Sequence, residues 1–160
     1  MCEKLDIGCG NKKLEGYVGI DNRNYVGVDI VHDIEVFPWP FESEHFLAIN
    51  ASHVLEHIKP WKLFDLMDEA WRVLKPDGEI KIRVPFGLSY KVDPSHIIEF
   101  CIPSFWYFDI NQDFYQTYKP KPWTTIKAHA ENATQEITVI LRKHREPKDS
   151  LEVLTEMGNN

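Results

Sequence analysis

With 160 residues and a formal charge of −7, the chain is long enough to bury one core, and it lacks the concentrated basic face that wholesale binding to nucleic-acid backbone requires. Its 43% hydrophobic and 27% charged residues describe a soluble globular protein, and no apolar run approaches the ~18 residues of a membrane span. Cys2, Cys9 and Cys101 are too few and too irregularly spaced for a disulfide framework or a zinc knuckle, and MCEKLDIG enters a strand pattern at once, so a cytoplasmic protein without a signal peptide is expected.

Taken in chain order, Lys4–Gly8 and Gly16–Asp21 are short apolar runs bounded by Gly, Asn and Asp and read as buried strands. Tyr25–Asp33 is β-branched and reads as a third strand, and Phe46–Asn50 as a fourth; FPWPF between them is broken by proline. Ser52 is placed to cap a helical turn, HVLEHI, that ends before Pro60. Pro60 suits the first turn of a helix, WKLFDLMDEAWRVLK, in which Leu63, Leu66, Met67, Ala70 and Leu74 form an apolar stripe. Lys75–Gly78 reads as a turn and Glu79–Val84 as a fifth strand. Residues 87–122 are irregular and rich in aromatics; Thr124–Asn132 and Glu136–Arg142 read as an antiparallel hairpin. The polar tail, 143–160, carries at most a weak helix, SLEVLTEM. Strands alternating with crossovers and ending in a hairpin predict an α/β domain with a mainly parallel sheet, whose ligands bind beyond the carboxyl ends of the strands.

The opening stretch, LDIGCGNKKLEGYVGID, lies at that edge. Gly8 and Gly10 follow the first strand, where a missing Cβ lets the backbone turn sharply and approach a ligand. A dinucleotide fingerprint would next open a helix to receive pyrophosphate. Here Lys13 stands at the third glycine position, and only eight residues, Cys9 to Gly16, link the two strands. Eight extended residues reach roughly 27 Å, enough to return along a strand of about 17 Å without a helix. Loss of that helix argues against NAD or FAD and for a phosphate-free ligand with a ribose and an amino-acid-like end. Asp21 and Asp33, ending the second and third strands, are placed for ribose hydroxyls and an exocyclic amine. The alternative is that both glycines only shape a turn and both acids are solvated strand ends.

The segments LDIGCGNKKLEGYVGID, DIVHDIEVFPWPF, ASHVLEHI and AWRVLKPDGEIKIRVP, in that order, resemble the class I S-adenosylmethionine-dependent methyltransferases, and most of all their compact branch that lacks the first crossover helix. A weaker echo, DPSHIIEF, extends the likeness to Phe100. The resemblance implies a three-layer, Rossmann-like fold with about seven strands ending in an antiparallel hairpin. It implies a single domain over residues 1–142, with 87–122 as a substrate-side insertion or lid. It further implies that Asp6, Gly8, Cys9 and Gly10 cradle the methionine moiety, that Asp21 binds the ribose diol, and that Asp33 and Ile34 meet the adenine. Asn50, Ala51, Ser52 and His53 would pass the sulfonium and face the substrate. Leu47, standing where many relatives carry Asp, and Asp77 in the KPGG-like turn depart from the family pattern, as does the missing first helix. That loss would leave a sheet face to be shielded by the insertion or by another subunit, in a homodimer or with a partner.

His53, Glu56 and His57 also spell H-x-x-E-H, the inverted zinc-protease pattern. Those proteases embed it in a long helix, whereas here a strand ends at Asn50 and Pro60 follows closely, so no metal is expected. His53 and His96 are the candidates for a general base or substrate contact, with a structural histidine as the alternative, and Cys9 is assigned to packing. Phe100, Phe105, Trp106, Tyr107, Phe108, Phe114, Tyr115 and Tyr118 read as core and lid, or as an aromatic acceptor pocket. The expected activity is methyl transfer from S-adenosylmethionine to a small-molecule or glycan acceptor, with a protein or nucleic-acid acceptor, or an inactive binding module, as alternatives.

Overall fold

The computed structural model describes residues 3–145, and the helix expected at SLEVLTEM lies outside them. Seven strands form one sheet: β1 (Lys4–Ile7), β2 (Val18–Asp21), β3 (Ile30–Val31), β4 (Phe46–Ser52), β5 (Leu74–Pro85), β6 (Trp123–Glu131) and β7 (Glu136–Lys143). Their order is β3-β2-β1-β4-β5-β7-β6; the first five strands pair in parallel, and the terminal hairpin β6–β7 is antiparallel. Strand order reverses between β1 and β4, so the carboxyl end of β1 faces a crevice, as the sequence predicts.

Register gives the two sheet faces different chemistry. The rows Leu5–Ile49–Ile80–Leu141 and Ile7–Ala51–Ile82–Val139 run across four strands and are fully buried or nearly so. Helix α1 (Leu63–Val73) adds Leu66, Met67, Ala70 and Val73 to the same cluster. The intervening positions, Asp6, Asn50, Lys81 and Arg83, are polar. Alternation at period two makes one face of a mainly parallel sheet suitable for solvent, and the loop between β1 and β2 covers the part nearest the crevice.

Residues 87–122 form short elements: α2 (Gly87–Lys91), a 3-10 turn (Ile102–Tyr107) and α3 (Tyr115–Tyr118). Phe100, Phe105 and Phe108 are buried in the main cluster, and Phe108 meets Phe64 of α1 at a ring-centroid distance of 5.1 Å. The insertion is therefore part of the core. Phe114 and Tyr118 are exposed, while Trp106, Tyr107 and Tyr115 are half-buried.

Several local expectations are corrected. The third strand shrinks from Tyr25–Asp33 to Ile30–Val31, because Val28 N–H donates to Tyr25 C=O and Gly27 turns at φ +97. Ser52 does not cap a helix; it ends β4, and its hydroxyl accepts from Arg83 Nη2 at 2.9 Å. HVLEHI holds only a 3-10 turn, Leu55–His57, with no side-chain cap. Pro60 heads a separate 3-10 turn, Pro60–Lys62, before α1, and Leu74 belongs to β5. The turn at Lys75–Gly78 exists as a bulge within β5, since Phe46 pairs with Leu74 but Ala48 with Glu79. Asp77 takes its left-handed position at φ 63.

Candidate functional site

The connection from β1 to β2, residues 8–17, returns without a helix, and side chains from the strands hold it at both ends. Gly8 N–H donates to Ile20 C=O at 2.9 Å; Gly10 N–H donates to Asp21 Oδ2 at 2.8 Å; Leu14 N–H donates to Asp6 Oδ2 at 2.9 Å. Asn50 Nδ2 in turn donates to Asp6 Oδ1 at 2.6 Å, and both side chains are buried. Gly8 has φ +60, and a Cβ there would lie 2.3 Å from Val54 Cγ2, so only glycine fits. Cys9 packs its sulfur over Gly19, where an added Cβ would sit 2.7 Å away. Burial, with Asp6 and Asp21 nearby, pushes the Cys9 thiol up to about 11, which keeps it protonated and inert.

These elements open into a cavity of about 680 Å³ beyond the strand ends. Of the residues expected at the cofactor, Gly8, Asp21, Asp33, Ile34 and His53 line it together. Asp6, Cys9, Gly10, Asn50, Ala51 and Ser52 lie outside its lining; Asp6, held by Asn50, braces the loop through Leu14 N–H, and Gly10 is itself held by Asp21. Asp21 ends β2 with its carboxylate set by Gly10 N–H and by Arg23 N–H at 2.9 Å. Two lone-pair positions of that carboxylate are thereby used and two remain. Asp33 Oδ1 accepts from Glu35 N–H at 2.9 Å, an Asx turn that fixes its direction.

Sequence reasoning missed the far wall. Glu35 accepts from both Lys59 N–H and Lys59 Nζ, at 2.6 and 2.5 Å, joining the segment after β3 to the one after β4. Asp93 and Ser95 close another side, because Ile97 and Ile98 N–H both donate to Glu56 C=O, at 2.7 and 3.1 Å. Such non-local bonds leave no periodic mark in sequence.

His53 sits at the cavity with φ 53, a left-handed conformation uncommon for a side-chain-bearing residue. Its Nε2 is 2.5 Å from Glu136 Oε1 of β7, and its Nδ1 is 3.5 Å from Glu56 Oε1. Glu56 raises the imidazole above its ordinary range most, with Glu136 adding and burial opposing. His96 does not line the cavity: its ring is largely buried, its Nδ1 donates to Tyr90 C=O at 2.7 Å, and it packs against His57 at 4.7 Å. The post-β5 loop folds back as expected, yet it presents Asp93 and Ser95 to the cavity while His96 stays behind. Glu56, His57 and His96 bring one metal-ligating atom each to within 4.8 Å of one another.

Among solved structures, the fold is similar to a SAM-dependent methyltransferase from Archaeoglobus fulgidus, with TM-score 0.69 and 18% identity over 89% of this chain and 86% of that one. A second is the 1,6-didemethyltoxoflavin-N1-methyltransferase of Burkholderia thailandensis, with bound 1,6-didemethyltoxoflavin and S-adenosylhomocysteine, at TM-score 0.62 and 15% identity over 89% and 71% of the two chains. A third is a chain of the complex between the Haloferax volcanii Trm112 methyltransferase activator and a methyltransferase, at TM-score 0.65 and 10% identity over 89% and 82%. No curated protein is significantly similar in sequence. Residues 3–126, well over half of the chain, match the methyltransferase domain family. The chain therefore belongs to the methyltransferase domain family and has the class I fold of S-adenosylmethionine-dependent methyltransferases.

Proposed function

We propose that this chain is a methyltransferase that binds S-adenosylmethionine in the cavity beyond β1, β2 and β3 and methylates a small-molecule or glycan acceptor. The observation that carries the reading is the convergence of the Gly8 turn, Asp21 and Asp33 on one cavity. The residues fit that cofactor. Gly8 leaves no room for a side chain, Asp21 keeps two lone-pair positions for a ribose diol, and Ile34 offers an apolar wall for a base. Asp21, Asp33, Glu35 and Asp93 outnumber Arg23 and Lys59 around the lining, which favours a cationic ligand over a phosphate-bearing one. The bound cofactor supplies an electrophilic sulfonium methyl group.

The chain's own part is to align the acceptor and exclude water. His53 is the residue placed to touch the acceptor. Its Nε2 already contacts Glu136, so the ring acts as an orienting contact unless that pair opens. His96, behind the cavity wall, supports the site from its second layer. A volume of about 680 Å³ lies inside the roughly 300–1,000 Å³ range of small-molecule sites, and with the cofactor in place it leaves room only for a compact acceptor. The bound small molecule in the Burkholderia relative agrees with this, and the Haloferax complex is a precedent for a partner on a fold of this kind. In this reading the catalytic domain expected over residues 1–142 runs on through Lys143, the buried end of β7, and 87–122 supply its acceptor side. Its setting is cytoplasmic; among the described residues no helix is long and apolar enough to cross a membrane.

Calorimetric titration with S-adenosylmethionine and S-adenosylhomocysteine tests this. Wild type should bind both with one site, and Asp21→Ala and the milder Asp21→Asn should weaken binding at least tenfold while keeping the wild-type circular dichroism. Folded wild type that binds neither would overturn the reading.

A further inference from the structure

Glu56 is fully buried, and neither of its carboxylate oxygens has a hydrogen-bond partner. An unpaired buried carboxylate costs several kcal/mol by rough reckoning, and its nearest histidine, His53, holds Nδ1 3.5 Å away, beyond a close charge-assisted bond, with Nε2 committed to Glu136, so a closer cation is called for. Its neighbours are histidines whose tautomers are set by their other partners. His96 Nδ1 faces the Tyr90 carbonyl at 2.7 Å, and a carbonyl only accepts, so Nδ1 carries the proton and Nε2 the lone pair. That Nε2 is 3.8 Å from Glu56 Oε1. His57 Nδ1 faces the Ser95 carbonyl at 3.3 Å and Ser95 Oγ at 3.2 Å. The Ser95 hydroxyl donates its own proton to Asp93 Oδ1 at 2.6 Å, so it too accepts from His57, whose Nε2 is left with the lone pair. The cluster thus gathers two imidazole lone pairs and a carboxylate: acceptors throughout.

A proton is a poor fit as the cation. A histidinium at His53 or His96 would close on Glu56 to about 2.7–2.9 Å, and the two pairs stand at 3.5 and 3.8 Å. The 3.8 Å pair is close to the roughly 3.0–3.6 Å between neighbouring ligands on one ion with bonds of about 2.1 Å, and the three ligand atoms, within 4.8 Å of one another, would draw together by about 1 Å around an ion. The anchoring of each ring through Nδ1 to a backbone carbonyl is also how metal-ligating histidines are oriented. The scaffold is fixed, because Glu56 C=O accepts the N–H groups of Ile97 and Ile98, next to His96, while Glu56 and His57 share one 3-10 turn.

We infer that Glu56, His57 and His96 form a site for one divalent first-row transition-metal ion at the wall of the cavity. Two imidazole nitrogens with one carboxylate suit zinc, cobalt, iron(II) or manganese better than magnesium or calcium, which prefer all-oxygen shells. The set differs from the one that H-x-x-E-H suggests in sequence: His53 commits Nε2 to Glu136 and keeps Nδ1 3.5 Å from Glu56, and the third ligand comes from the loop after β5. His57 lines the cavity beside Asp93 and Ser95, so the ion's open position faces the space where the acceptor enters. An acceptor bearing oxygen donors, such as a vicinal diol or a hydroxy acid, would be held there; this last step rests on the methyltransferase reading, whereas metal binding does not.

Metal-free full-length protein is titrated with cobalt(II) chloride, following visible d–d absorption and heat. One equivalent should bind with the intense bands of a low-coordinate site, and His57→Ala and His96→Ala should each weaken binding roughly tenfold or more. His129→Ala, an exposed histidine of β6, should bind as wild type. The two-oxygen chelator acetohydroxamate should then shift the bands. Folded wild type without cobalt bands, or His57→Ala and His96→Ala variants that bind as wild type, would overturn the metal site. Bands that acetohydroxamate leaves unchanged would overturn the open position. Titration of the same metal-free protein with S-adenosylhomocysteine reports on the cofactor reading separately.

Discussion

At the scale of single residues, Gly8 and Asp6 show how the crevice is held. Alanine at position 8 would carry both a left-handed backbone and a collision with Val54. Gly8→Ala should cost more than about 2 kcal/mol and abolish cofactor binding, with Val54→Ala restoring space but not backbone freedom, as urea melts and calorimetry would show. Asp6→Ala would strand Asn50 Nδ2 and Leu14 N–H; a loss of about 2–4 kcal/mol in urea unfolding is expected, and Asp6→Asn should lose less. Cys9 should be slow toward iodoacetamide at pH 8, in contrast to exposed Cys101, when labelling is followed by mass spectrometry in a Cys2→Ser background. Equal labelling of the two would contradict the packing described for Cys9.

At the scale of elements, the insertion and α1 are bound into one apolar layer. Phe105 stacks on Phe100 with ring centroids 5.4 Å apart and is nearly inaccessible. Phe105→Ala should therefore cost about 3–5 kcal/mol, as a core truncation does, and a loss near zero would show the segment to be a detachable flap. Helix α1 is tied to the segment before β4 by Glu69, which accepts from Trp39 N–H at 2.6 Å and from Arg72 Nη2 at 2.6 Å. Burial pushes the Glu69 carboxyl up, but these bonds outweigh it and hold the group below its ordinary 4.5. A lowered folded value means the contribution is complete above 4.5 and is lost as pH falls through the folded value. Glu69→Gln should thus lower the melting temperature by roughly 5 °C at pH 7, with the gap to wild type shrinking as pH falls through the carboxylate range. A pH-independent gap would contradict this linkage.

At the scale of the whole molecule, one mainly parallel sheet faces two environments. The Leu5 and Ile7 rows meet α1 and the insertion, while Lys81 and Arg83 occupy the opposite face with the β1–β2 loop at its crevice end. Polar positions thus stand on a sheet face that no crossover helix between β1 and β2 covers. The same economy shapes the site, since one loop of ten residues, 8–17, replaces a helix and is held by Asp6 and Asp21 through its backbone N–H groups.

Much of this was legible from residues alone. The alternation of apolar and polar side chains set the strands and the closing hairpin, because burial on a pleated sheet repeats every two residues. Gly8, Asp21 and Asp33 announced the crevice, because turn geometry and strand-end acids are local properties. The length of β3 was not legible, since Tyr25–Asp33 has the composition of a strand and a single turn at Gly27 interrupts it. Nor was the separation of lining residues from bracing ones: Asp6 and Asp21 both accept from N–H groups of the loop, yet Asp21 lines the cavity and Asp6 does not. The tertiary structure alone decided that His96 stands beside Glu56 rather than in the cavity, and that Glu136 reaches His53 from 83 positions away. Local pattern encodes what a residue does to its own backbone. Contacts between distant segments depend on the assembled sheet, which brings chain positions together that no spacing rule connects.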